Sequence, residues 1–150
     1  MTAYTITGAT ATANVSTDFT PNGTPVFGDT LTIGANKTLT IPAAYTFDAT
    51  VTMGGSSTSA RSKIINNGTW QVRANATINA WSNFELNAGS TLDVLVGTQC
   101  LMAVTGTTNA PYSIIASGTE ANPVIFTQSD YVSGTPAAAW VHASGSSVQG

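Results

Sequence analysis

The stretch "TLTIGANKTLTI", residues 30–41, carries the same alternating tetrapeptide twice. Thr30-Leu31-Thr32-Ile33 returns eight residues later as Thr38-Leu39-Thr40-Ile41, with Gly34-Ala35-Asn36-Lys37 between them. Alternation of hydroxyl and aliphatic residues is strand chemistry, because successive side chains of a strand point to opposite faces. Two arrangements fit: a hairpin, in which the second strand folds back, and a coil, in which it turns a corner and runs on. Asn36 suits the corner, since Asn tolerates the left-handed backbone that a sharp turn requires.

Self-similarity elsewhere in the chain favours the coil. Thr30, Thr69 and Thr91 are placed in one register. One and three places on stand Leu31 and Ile33, Trp70 and Val72, Leu92 and Val94, with polar Thr32, Gln71 and Asp93 between. Six places on stand Asn36, Asn75 and Gly97; nine and eleven places on stand Leu39 and Ile41, Ile78 and Ala80, Cys100 and Met102. Phe84 and Leu86 suggest a third face. The interval from Thr69 to Thr91 is 22 residues, and Ser113-Ile114-Ile115-Ala116 begins 22 further on. Thr30 to Thr69 is 39, leaving room for an extra coil through Tyr45–Val51 and a Gly/Ser loop at 54–62. Coils of this length with three short strands predict an all-β, right-handed parallel β-helix, a single-stranded solenoid whose coils bury their apolar sides by stacking. A β-sandwich of independent hairpins is the competing architecture.

The composition fits such a surface. Only 7% of the 150 residues are charged, against about a quarter in an ordinary soluble domain. Hydroxyls and amides carry the solubility instead, with 26 Thr in the chain. Four basic residues cannot track a phosphate backbone, which argues against nucleic acid as a partner. No apolar run approaches the roughly 18 residues of a membrane span. The start, Met1-Thr2-Ala3-Tyr4-Thr5-Ile6-Thr7, shows neither the basic nor the apolar region of a secretory signal. The Asn-x-Ser/Thr sequons at Asn14, Asn22, Asn36, Asn67 and Asn75 are expected by chance in so Asn- and Thr-rich a chain.

The segment Ala116-Ser117-Gly118-Thr119-Glu120-Ala121-Asn122-Pro123-Val124-Ile125-Phe126-Thr127 resembles a rung of the parallel β-helix proteins of phage tail spikes and fibres and of bacterial surfaces. There a "GT…NP-apolar-x-F-T" rung is followed by a loop and a Trp-initiated strand, which Trp140-Val141-His142 resembles. In that pattern Gly118 turns the corner, Pro123 starts the strand, and Val124 and Phe126 point inward. The resemblance covers about residues 28–141 and is specific to fold rather than to activity. It divides the chain into an N-terminal extended arm or cap, 1–27, and β-helix coils over 28–150 that are expected to continue in a longer parent chain. The alternation of Thr5, Thr7, Thr10 and Thr12 with Ile6, Ala9, Ala11 and Ala13 suits an arm docked on a sister chain or a neighbouring virion protein.

β-Helices also host polysaccharide lyases and hydrolases, so the acids matter. Glycoside hydrolysis uses two carboxylates flanking a groove. The register sets Asp29 opposite Gly68 and Ser90, and Asp93 opposite Thr32 and Gln71, so neither column holds a second acid. It stacks Glu85 on Lys63, which reads as a structural ion pair. Arg61, Lys63 and Arg73 are the remaining candidates for lyase chemistry, and Arg61 lies in a Ser/Gly-rich loop. His142 has no His or Cys partner for zinc, and Cys100 reads as a small core hydrophobe. Trp70 falls in the inward column. Of the three tryptophans that could form a sugar-stacking platform, Trp70, Trp81 and Trp140, Trp81 is the candidate ligand contact.

The sequence thus leads to a non-enzymatic structural virion protein without catalytic residue, cofactor or metal. The resemblance implies a homotrimeric tail spike, tail fibre or capsid-decorating protein that meets other virion proteins or sister chains and a host surface glycan. A bacterial surface adhesin is the first alternative, placing the chain on the cell surface rather than the virion. A polysaccharide-degrading enzyme with its site in further coils is the second.

Overall fold

The computed structural model describes residues 1–57, 59–74, 76–78, 81–95, 99–102, 113–129, 139–142 and 147–149. It is an all-β parallel β-solenoid of about four turns. Four successive coils each contribute one strand to each of three sheets, here called faces one, two and three, and the coils at either end add strands to faces one and two. Face one stacks strands 3–6, 30–34, 50–54, 76–78, 99–102 and 139–142, with strand 19–20 added at its first edge. Face two stacks 10–12, 38–41, 62–66, 82–87, 113–117 and 147–149; face three stacks 46–47, 69–72, 91–94 and 125–127. All these pairings are parallel except that of 19–20 with 3–6. No helix among the described residues is long and apolar enough to cross a membrane.

The opening repeat is a coil corner. Strand 30–34 lies in face one and strand 38–41 in face two, and Asn36 between them has a φ of 59°. That left-handed turn sends the second tetrapeptide onto the next sheet instead of back along the first. The corner between faces two and three is built differently in successive coils. Ala44 and Gly89 take positive φ there. Gly68 serves because a Cβ would come within 2.3 Å of the Pro42 carbonyl oxygen and 2.5 Å of that of Tyr45.

The core is a set of columns. On face three Phe47, Trp70 and Leu92 stack in register, as do Val72 and Val94. On face two Ala11, Leu39, Ile64 and Phe84 form one column. On face one Leu31 sits on Val51 and Ile33 on Met53. All are buried, and the Trp70 ring meets Phe84 edge-on at 5.3 Å between centroids. In the middle coils the inward side chains thus pack against the coil above and below as well as across the lumen, which is how short coils acquire one continuous core.

Three details of the sequence register are corrected by the pairing. Thr30 is partnered by Thr50, not Thr69, so Leu31 and Ile33 share the core with Trp70 but stand on a different face. Asp93 does lie opposite Gln71, but Thr32 and Asp29 belong to face one and its preceding turn. Ser113 pairs with Asn83 on face two, and the successor of Thr91 is Ile125. The physical reason is that coil length is not constant. It is 20 residues from Thr30 to Thr50, 22 from Thr69 to Thr91 and 34 from Thr91 to Ile125. Phe126 takes the expected inward register above Leu92, but it is 47% exposed on the outermost strand of its sheet. The corners assigned to Asn75 and Gly97 lie outside the described residues, as do the side chains of Cys100, Trp140 and His142.

The coil pattern extends into residues 1–27. Strands 3–6 and 10–12 pair in parallel with 30–34 and 38–41, and Ile6, Ala11, Ala13 and Phe19 are buried against them. Strand 19–20 then crosses antiparallel over 3–6. Carboxylates take two further backbone donors at this end: Asp18 Oδ2 accepts the Thr12 N–H at 2.7 Å, and Asp29 Oδ1 accepts the Thr2 N–H at 2.7 Å. Each N–H taken in this way is one fewer for another strand to pair with.

Candidate functional site

Trp81 stands at the corner where face one passes into face two, directly before strand 82–87. It is half-buried, and its carbonyl accepts the Ser62 N–H at 3.1 Å. The backbone is held close from the previous coil, where a Cβ on Gly55 would fall 2.0 Å from the Trp81 carbonyl oxygen. Ser62 pairs with Ser82, so Arg61 takes the position beside Trp81 on the neighbouring coil.

From that corner a polar strip runs across face two. Arg61 Nη1 donates to Asn83 Oδ1 at 3.4 Å, Lys63 Nζ meets Glu85 Oε1 at 2.6 Å, and Asn87 Nδ2 donates to Asn67 Oδ1 at 2.7 Å. All six of these side chains are half-buried. Beneath them the inward side chains are Ser62 and Ser82, whose hydroxyls lie 3.1 Å apart, and then Ile64 and Phe84. The strip sets amide, carboxylate, ammonium and guanidinium groups side by side, with Trp81 at its end.

The expected ion pair of Lys63 and Glu85 is present, while Asp29 and Asp93 are drawn into structural roles. Asp93 is buried on face three, where Oδ2 accepts from Gln71 Nε2 at 2.9 Å and from the Ser129 hydroxyl at 2.5 Å, and Oδ1 accepts the Ser129 N–H at 2.8 Å. Asp29 also accepts from the Val26 N–H, and the hydrogen bond from Thr2 holds its carboxyl below the usual range. Arg73 pairs with Asp48 at 3.3 Å and lies 5.2 Å from the centre of the Phe27 ring. No group of three or more potential metal ligands occurs among the described residues.

Two features were not foreseen from the sequence. Asn66 points inward and is buried, satisfied by donating to the Thr91 carbonyl at 2.8 Å and by accepting the Gly68 N–H at 3.0 Å. The Asn67–Asn87 contact is the outward counterpart one residue on. The Asn-Asn-Gly triplet at 66–68 was the available signal, since such residues gather at corners. Comparison of the chain with protein-family profiles, curated proteins and solved structures gave no match.

Proposed function

We propose that the chain is a non-enzymatic structural protein of a bacteriophage virion, a tail spike, tail fibre or capsid-decorating protein acting as a homotrimer. Its role is a rigid scaffold for attachment or host-surface binding. The observation that carries this reading is the solenoid together with its 116–127 rung. Residues 113–117 and 125–127 are strands of two faces, and Gly118 sits where a Cβ would meet the Val124 nitrogen at 2.7 Å. Stacked coils resist bending because each strand is bonded on both sides, which suits a load-bearing rod. The strip from Trp81 to Asn87 supplies a surface for a host glycan.

Antibodies to the chain, applied to lysates containing phage particles and to intact bacteria, test the reading by immunoelectron microscopy. Label on tails or capsids is expected. Label confined to bacterial envelopes selects a surface adhesin instead. Release of reducing or unsaturated ends from polysaccharide by the full-length protein selects a carbohydrate-active enzyme. Light scattering on the purified protein checks the trimer.

A further inference from the structure

The threonines of face one line up from coil to coil. Thr5, Thr32 and Thr52 occupy one outward column, and Thr77 takes the same register position on the next strand. Thr30 and Thr50 form a second column two residues away, and Thr20 lies beside Thr5 across the antiparallel pair. Thr5, Thr20, Thr32 and Thr52 are exposed, while Thr30 and Thr50 are half-buried. Among the described residues, no side chain hydrogen-bonds the hydroxyls of Thr30, Thr32, Thr50 or Thr52.

The other faces do not keep this pattern. On face two the threonine pairs 10/12 and 38/40 give way to Lys63 and Ile65 on the next coil. On face three the single column Thr46–Thr69–Thr91 stands beside Gln71 and Asp93. Face one alone among the described faces carries a threonine column through four consecutive strands, Thr5–Thr32–Thr52–Thr77, with the pair Thr30–Thr50 beside it.

Strand pairing fixes the array. Columns repeat at about 4.8 Å from coil to coil, and alternate residues of one strand are about 6.6 Å apart. Branching at Cβ restricts χ1, so each hydroxyl and methyl is largely placed before any ligand arrives. A ligand for this surface is uncharged, extended and periodic near those spacings. Tetrahedral water meets the description: with O···O of about 2.75 Å, two molecules bonded to a common third stand about 4.5 Å apart, and the layered repeat is about 7.3 Å. The coil repeat differs from the shorter water spacing by a few tenths of an ångström, and the strand repeat matches the longer one less closely.

We propose that face one binds the surface of ice. The threonine hydroxyls of residues 30, 32, 50 and 52 take the places of lattice waters, and the methyls fill the gaps between them. This binding does not depend on the virion reading and stands or falls separately from it.

The test is ice growth in the presence of the 150-residue chain, read as thermal hysteresis and crystal shape. Thr52→Tyr raises a bulky ring from the middle of the array, and Thr40→Tyr makes the same change on face two. Hysteresis and faceted crystals are expected with the unaltered chain and with Thr40→Tyr, and a several-fold loss with Thr52→Tyr. Circular dichroism reports whether each variant keeps its β-sheet signal. Should Thr52→Tyr fail to fold, Thr32→Lys repeats the test at the neighbouring rung. An unaltered chain that neither shapes ice nor shows hysteresis overturns the proposal. So does equal activity in the folded face-one variant.

Discussion

Lys63 and Glu85 touch across adjacent coils although their backbones are not opposite one another. Lys63 faces Asn83 and Glu85 faces Ile65, yet Nζ and Oε1 are 2.6 Å apart. Diagonal neighbours on a sheet lie within reach of long side chains, so the contact tolerates an offset of two residues. Both side chains are about a third exposed. A double-mutant cycle with Lys63→Met and Glu85→Gln is expected to give a coupling of about 0.2–1 kcal/mol in urea unfolding, falling as salt is added. A coupling insensitive to salt would contradict this picture of a half-exposed pair.

Among the described residues Trp70 is the largest side chain buried in the core, with Phe47 and Leu92 on either side and Phe84 against its ring. Trp70→Ala is expected to lower stability by about 3–5 kcal/mol, since the stacked coils cannot collapse into the space. Trp81→Ala, at a half-buried corner, should cost much less. Midpoints of chemical denaturation compare the two directly.

Asn66 interrupts a column that is otherwise apolar, between Ile41 and Leu86. Leucine would suit that column by volume, but it would leave the Gly68 N–H without its buried acceptor. Both Asn66→Ala and Asn66→Leu are therefore expected to destabilise by about 1–3 kcal/mol. Asn67→Ala, which removes only the outward contact with Asn87, should stay within about 0.5 kcal/mol of the parent. A stabilised Asn66→Leu would show that the corner has another way to satisfy its backbone.

Asp29 fixes the first residues through the Thr2 N–H, which lowers its pKa in the folded chain. A depressed carboxyl contributes its full stabilisation above the ordinary carboxylate range and loses it as pH falls through the lowered value. Hydrogen exchange at the Thr2 amide is thus expected to accelerate in strong acid. In Asp29→Asn that pH-dependent release should disappear. Retention of the same acid response in the variant would assign it to another group.

Local features were legible in the sequence, and long-range ones were not. Asn36 could be read as a corner because the repeat on either side of it is complete within 12 residues. The burial of Trp70, Val72, Leu92 and Val94 followed from alternation alone. The placement of Thr30 in one column with Thr69 failed because strands of faces one and three carry the same alternation, which does not mark the face a strand belongs to. Lys63 and Glu85 were brought together by a 22-residue interval, although their face repeats at 20 between Ser62 and Ser82; long side chains absorb the difference. The clasp of Asp93 by Ser129 spans 36 residues and rests on where the chain turns after strand 125–127, which no local pattern encodes.

The loop after Gly54 has a practical consequence. Gly55 and Arg61 stay against neighbouring coils, and between them the chain closes through the Ser57–Ala60 bridge and the Ser56 N–H bond to the Ala60 carbonyl before returning at Ser62. Strands 50–54 and 62–66 on either side keep their register with the coils above and below. Lengthening a loop whose ends are already fixed costs little, about 0.6 kcal/mol for each doubling. A foreign peptide spliced into the tip of that turn would be displayed at a set height along the rod, and the same splice in neighbouring coils would build a ladder of epitopes spaced by the thickness of a strand.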